Sequence, residues 1–243
     1  MELLKIAHDA EGVFLERPNR FLGRVNIFFP IKQDGVLIHV HDPGRLPDLL
    51  VHGAKVRLKK ALNPRRKTGW DLLAVKRHSD WVFVNSAYHR TLVEQLLSNV
   101  AISPIGKIKE IEPEFKVGRS RLDFAITLTN GQKVFVETKG CTLAEKGRAL
   151  FPDAPTARGR KHVSELIGLK QGGARAAIFF LIFRKDAQCF APNHEIDPEF
   201  AKTLKQAQEK GVELYPLLIA YEAPFLIHVG AIPLCDDAFN QLD

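Results

Sequence analysis

The stretch RLDFAITLTNGQKVFVETKG, Arg121 to Gly140, decides the fold. Two apolar runs flank Thr129, Asn130 and Gly131, which is a turn signal between alternating hydrophobic residues. In a three-residue loop Gly131 supplies the positive φ of a bulged hairpin, and Leu128 pairs with Gln132. Counting back from there puts Asp123 opposite Glu137 and Arg121 opposite Lys139. Side chains alternate across a strand, so Phe124, Ile126, Leu128, Val134 and Val136 share one face as an apolar stripe. A two-residue Asn-Gly loop would slip the register by one and move Asp123 to the wrong face. The apolar pattern therefore selects the three-residue loop.

The same register brings Asp123, Glu137 and Lys139 to one spot. A charge is costly to bury without compensation. Two close carboxylates repel each other unless a cation lies between them, and hard oxygen ligands suit Mg²⁺ or Mn²⁺. Such an ion polarises a phosphodiester and acidifies a bound water, while a nearby lysine orients the nucleophile or stabilises developing negative charge. Asp123 and Glu137 are thus candidate metal ligands, and with Lys139 candidate catalytic residues. The spacing Asp-x13-Glu-x-Lys is that of the PD-(D/E)xK nucleases. Taken alone it is a weak signal, because Glu-x-Lys is also a common surface ion pair on a strand.

Sequence on either side supplies context. Upstream, NSAYHRTLVEQLLSN (Asn85 to Asn99) opens with capping residues and spaces Leu92, Val93, Leu96 and Leu97 as the buried face of a helix. It carries Glu94, where the first helix of such a nuclease core often supplies an acid; a solvated glutamate is the plainer reading. Downstream, a basic helix is predicted near Arg158 to Lys170, then a buried strand at Ala176 to Phe183. A further helix has Asp197 as cap and Pro198 in its first turn and ends at Gly211, with a strand directly after. Strands alternating with helices imply an α/β sheet with parallel strands at its centre. Arg158, Arg160, Lys161 and His162 oppose the dipole at the start of their helix. A phosphate backbone would favour them there, as would salt bridges to Glu165 or Asp153.

The first 80 or so residues are β-rich instead. GVFLERP, RFLGRVNIFFPI, GVLIHVHD, GAKVRLKKAL and WDLLAVKRH are short runs broken by Gly, Pro, Asp and Asn, which suggests a small OB-like barrel. Its polar segments are basic: Arg20, Arg24, Arg45, and the cluster Arg65, Arg66 and Lys67. They form either a solvated surface or one that tracks phosphates. The expected architecture is α/β plus a small β-barrel. An OB-like barrel over 1–84 precedes a restriction-endonuclease-like mixed α/β sheet over 85–243.

Composition narrows the partner. The 243 residues are 45% hydrophobic and 26% charged, ordinary for a globular protein, but the net charge of +7 favours a polyanion. Nucleic acid ranks before membrane on that ground. The longest apolar run, AAIFFLIF, is too short to span a bilayer, and no signal peptide is visible. Cys141, Cys189 and Cys235 have neither disulfide-framework nor zinc-ligand spacing, so reduced thiols and a cytoplasmic location are expected. Neither a Walker loop nor a dinucleotide fingerprint is present.

GRSRLDFAI, VFVETKGCTLAE, ALFPDAPTARGRKHVSELIGL, RAAIFFLIF and AQEKGVEL, with RFLGRV and HDPGRLPDLLVHGAKV nearer the start, closely resemble the sugar fermentation stimulation protein A (SfsA) family. The likeness runs the whole length, and FPDAPTARGRKH is its most specific phrase. The resemblance implies an N-terminal OB-like domain, a PD-(D/E)xK-like C-terminal domain, non-specific DNA binding and a regulatory role in sugar (maltose) metabolism. By position it assigns the nuclease-type acids to Asp123, Glu137 and Glu94 and the lysine to Lys139. Leu122 stands where the motif has proline, and Asp42 to Arg45 (DPGR) where an Asn-Thr-Gly-type turn is expected. Two readings follow. One is a Mg²⁺- or Mn²⁺-dependent nuclease acting on DNA, or on RNA; the other is a non-catalytic DNA-binding regulator on a nuclease fold.

Overall fold

The computed structural model describes residues 1–63, 65–118 and 120–240, so 241–243, at the end of the expected second domain, lie outside it. A first strand, β1 (Glu2–Lys5), precedes β2 (Ala10–Asn19), β3 (Leu22–Phe29), β4 (Gln33–His39), β5 (Lys55–Lys60), β6 (Trp70–Arg77) and β7 (Asp80–Phe83). Strands β2 to β6 coincide with the five β-rich runs. They are ordered β4-β3-β2-β5-β6, and a parallel pairing of His39 with Asp71 closes β4 onto β6 as a barrel. Closure removes the open edges that would otherwise template aggregation.

A short helical turn, Ser86–Tyr88, leads into α1 (His89–Ser98), and the Asn85 side chain accepts from the Ala87 amide. Then follow β8 (Ile108–Val117), β9 (Ser120–Leu128), β10 (Lys133–Cys141), β11 (Leu143–Glu145), β12 (Arg148–Phe151), α2 (Ala157–Gln171), β13 (Arg175–Ile182), β14 (Cys189–Pro192), α3 (Pro198–Glu209), β15 (Glu213–Glu222) and β16 (Phe225–Ala231). Among the described residues the large sheet is ordered β1-β16-β15-β13-β10-β9-β8, with β10, β13 and β15 parallel at its centre. Strands β11, β12 and β14 form a small separate sheet. Although β1 lies within the expected barrel segment, it pairs with β16 at the edge of the large sheet.

The large sheet is buried on both faces. One face carries Phe124, Ile126, Val134, Val136 and Phe179 into a core shared with α1 and the barrel, including Phe14, Val25 and Leu72. The other packs Phe180 and Ile182 under Val163 and Leu166 of α2 and Phe200 and Leu204 of α3. Strand β13 lies between them, and from Ala176 to Ile182 its side chains are all buried, which accounts for the continuous apolar run. Truncating Phe179 to alanine would cost about 3–5 kcal/mol. The barrel is also tied to the sheet by charge. Arg184, 2% exposed, donates to Asp48 of the barrel (2.5 Å), to Asp186 (2.9 and 2.7 Å) and to the Thr142 and Ala144 carbonyls.

The expectation of three reduced thiols is corrected. Cys189 and Cys235, 46 residues apart, form a disulfide that fastens the segment after β16 to β14. Their spacing conceals it because β14 and Leu234 become neighbours only through a bridge at Phe190. Cys141 is a free, buried thiol whose pKa burial pushes far up. Among the described residues no helix is long and apolar enough to cross a membrane.

Candidate active site

The hairpin forms in the expected register. Val134 pairs with Ile126 and Val136 with Phe124, Leu128 and Gln132 close the loop, and Gly131 has φ +84°. Beyond Val136 the strands part. Strand β9 stays on β8 down to Ser120, whereas β10 stays on β13 as far as Cys141. Asp123 stands at this fork, and its Oδ2 takes the Thr138 amide (2.7 Å) in place of a ladder bond. Register alone would put Arg121 beside Lys139, but the fork leaves Arg121 with Lys116 on β8 and in an ion pair with Glu114 (3.4 Å).

Glu137 is 2% exposed. Its Oε1 accepts from Lys139 Nζ (2.6 Å) and from His162 Nδ1 of α2 (2.5 Å). Burial opposes its ionisation, yet the His162 hydrogen bond and the Lys139 charge hold its pKa below the usual value. Asp123 goes the other way: burial first, then the Glu137 charge, raises its pKa to about 6. Glu137 Oε2 is buried with no hydrogen-bond partner. An ionised carboxylate oxygen left so costs upwards of about 1–3 kcal/mol. A buried, unpartnered carboxylate oxygen beside a second carboxylate is a donor set that fits a hard divalent cation. Among the described residues no three or more His, Cys, Asp or Glu side chains close around one point. Lys139 and His162 hold Glu137 Oε1, and Glu94 turns to Arg90 on its own helix (3.2 Å).

Lys139 opens into a cleft of about 940 Å³ between barrel and sheet, lined also by Arg17, Arg20, Arg45, His89 and Arg158. Two loops interlock across it. Asp153 Oδ2 accepts from the Leu46 amide (2.9 Å), and a Cβ on Gly44 would lie 2.5 Å from the Asp153 carboxylate oxygens. Glycine in DPGR is thus what lets FPDAP approach. Arg17 fixes the same loop by donating to the carbonyls of Arg20, Asp42, Gly44 and Arg45. At the floor a Cβ on Gly140 would lie 2.3 Å from the His89 ring, which stacks on Phe183. Burial lowers the His89 pKa to about 4, so the ring is neutral at physiological pH.

The candidate phosphate contacts divide into two groups. Arg20, Arg45 and Arg158 are exposed on the cleft, Arg65 and Lys67 are exposed on their barrel loop, and Lys161 lies in solvent 4.0 Å from Glu165. The rest are committed within the molecule. Arg24 pairs with Glu16 (2.8 Å), Arg66 grips both oxygens of Asp71, and Arg160 grips Asp197. His162 is buried behind Glu137 rather than facing solvent, because position 162 falls on the inner face of α2 with Val163 and Leu166. Sequence reasoning missed Arg17 and His89, and offered Asp153 only as a salt-bridge partner of the basic helix. HDPGRL and FPDAPT were visible as unusual phrases, but nothing local shows that the two loops meet.

The family profile described as the sugar fermentation stimulation protein RE domain matches residues 87–224, and that of the SfsA N-terminal OB domain matches 15–84. A sugar fermentation stimulation protein homolog from Methanococcoides burtonii is 43% identical, covering 99% of this chain and 98% of its own length. One from Thermotoga neapolitana is 42% identical over 96% of this chain and 99% of its own. Among solved structures, Pyrococcus furiosus SfsA in complex with Ca²⁺ superposes with a TM-score of 0.88 at 29% identity, over 97% of this chain and 99% of that one. Closed barrel, mixed sheet and whole-length likeness agree: the chain belongs to the sugar fermentation stimulation protein (SfsA) family.

Proposed function

We propose that this chain is a divalent-cation-dependent nuclease that holds DNA mainly by its phosphate backbone. The observation that carries the reading is the buried, unpartnered Glu137 Oε2 beside Asp123, at a fork whose third member, Lys139, faces a basic cleft. Asp123 and Glu137 would hold Mg²⁺ or Mn²⁺. A cation bound there supplies charge stabilisation to the scissile phosphate and acidifies water at neutral pH. His162 keeps the Glu137 carboxylate ionised and fixed in rotamer. Lys139 Nζ orients the attacking water and offsets the negative charge that develops on the phosphate oxygens. Arg20, Arg45 and Arg158 bind flanking phosphates. The Ca²⁺ complex of the Pyrococcus furiosus relative supports the cation assignment, since Ca²⁺ and Mg²⁺ share a preference for oxygen donors.

Cleavage of labelled single- and double-stranded DNA and RNA with Mg²⁺ or Mn²⁺ tests this, using wild type, Glu137→Ala and Lys139→Ala with binding measured for each. Metal-dependent cutting is expected to disappear in both variants while binding remains. A folded protein that binds every strand and cuts none would refute catalysis and leave a DNA-binding protein on a nuclease fold. Binding should weaken steeply with salt; a flat salt response would remove the backbone mode.

A further inference from the structure

Next to the cleft a half-exposed aromatic ring lies outside both apolar cores. Phe21, at the tip of the β2–β3 hairpin, is 48% exposed and contributes to neither core. Its plane lies within 13° of the His39 ring at 6.4 Å, and the Arg20 guanidinium is 6.0 Å from its centroid. His39 meets His41 edge-on at 4.4 Å. His41 in turn is held by Asp71 (3.2 Å), the carboxylate that Arg66 grips. Beyond Arg66, the exposed Arg65 and Lys67 have no ion pair among the described residues. Arg20 itself lines the cleft that contains Lys139.

We propose that Phe21, backed by His39, is a stacking platform for an unpaired base, so that the cleft takes single-stranded or frayed nucleic acid in preference to intact duplex. The inference rests on the reading of the cleft as a nucleic-acid site. A cation beside an exposed ring matches a single strand, in which phosphates and free base faces alternate. In a duplex the base faces are covered by their neighbours, and an exposed ring has nothing to stack on. Asp71 does not repel the strand because the Arg66 guanidinium grips both of its oxygens. Arg20 lines the cleft with Lys139 and adjoins Phe21, and the chain of contacts Phe21–His39–His41–Asp71–Arg66 leads from there to the loop that carries Arg65 and Lys67.

The test is fluorescence anisotropy with wild type, Phe21→Ala and Phe21→Trp. The probes are an oligothymidylate of about 16 nucleotides, an abasic strand of the same length and the matching duplex. Phe21→Ala is expected to weaken oligothymidylate binding roughly 5- to 150-fold, the range for loss of one base–aromatic stack. Duplex and abasic-strand affinities should stay unchanged, and Phe21→Trp should restore the loss. A 2-aminopurine base in the strand should be quenched by wild type and not by Phe21→Ala. Equal loss on all three probes, or none on oligothymidylate, overturns the platform while leaving a phosphate-binding cleft. If wild type binds no probe, the cleft reading fails as well. Self-association that Phe21→Ala abolishes would assign the ring to a second copy of the chain and overturn the proposal.

Discussion

Asp197 and Glu137 are both 2% exposed, and both are held ionised against the cost of burial. Their surroundings differ in one respect. Both Asp197 oxygens are used: Oδ1 accepts from the Phe200 amide, Oδ2 from the Thr156 amide, and Arg160 lies on both. It caps α3 and ties that helix to the start of α2. Glu137 receives two donors on one oxygen and none on the other. A carboxylate with every lone-pair direction filled holds architecture together. One left half-filled behind a lysine that lines a cleft keeps coordination capacity in reserve.

This contrast is sharpest under substitution. Glu137→Gln should reduce metal-dependent cleavage by about 10²–10³-fold, while chemical denaturation shifts by less than about 1 kcal/mol, since the amide still accepts from Lys139 and His162. Asp197→Ala should behave oppositely. Loss of a cap and of a buried ion-pair partner costs about 3 kcal/mol, with cleavage per folded molecule unchanged. If Glu137→Gln proved as destabilising as Asp197→Ala, the distinction between the two carboxylates would collapse.

Asp123 gives a smaller effect with a definite pH sign. Its pKa of about 6 in the folded chain exceeds the ordinary 3.8, so the folded state binds this proton more tightly. The contribution to stability is present below about pH 4 and is lost as pH rises through 6. In metal-free protein Asp123→Asn should therefore be more stable than wild type at pH 7 by about 1–3 kcal/mol. The two should converge near pH 4. An advantage that grew on acidification would contradict the burial argument. Added Mn²⁺ should stabilise wild type and not this variant. The smallest effect separates the arginines. Arg158→Gln should lower DNA affinity several-fold and reduce the salt slope by about one, whereas Arg24→Gln, whose side chain is engaged with Glu16, should leave both unchanged.

What was legible in the sequence was local. The Thr129–Gly131 loop fixed the register because alternation leaves one choice that buries the apolar stripe. Asp197 and Pro198 announced the start of α3 because capping acts within one turn. The five barrel strands showed as alternating runs between turn residues, and the Asp-x13-Glu-x-Lys spacing brought Asp123, Glu137 and Lys139 together. Long-range pairing was not legible. His162 reads as one more cation in ARGRKH, and only the packing of α2 on the sheet turns it inward. The Cys189–Cys235 bond, the β11–β12–β14 sheet and the Asp153–Gly44 contact all join segments far apart in the chain.

The pairing of β1 with β16 makes the barrel an insertion between an edge strand and the rest of its sheet. A fragment cut at the apparent boundary, beginning at residue 85, would lose that edge strand. It would bare the amides and carbonyls of Phe225 to Ile227 and uncover the face on which Leu3 and Ile6 pack. An open, partly apolar strand edge is a template for intermolecular pairing. The nuclease-like half expressed alone is thus expected to self-associate, both through the open β16 edge and through the sheet face that the barrel covers, and residues 1–9 supplied as a separate peptide should suppress only the edge pairing.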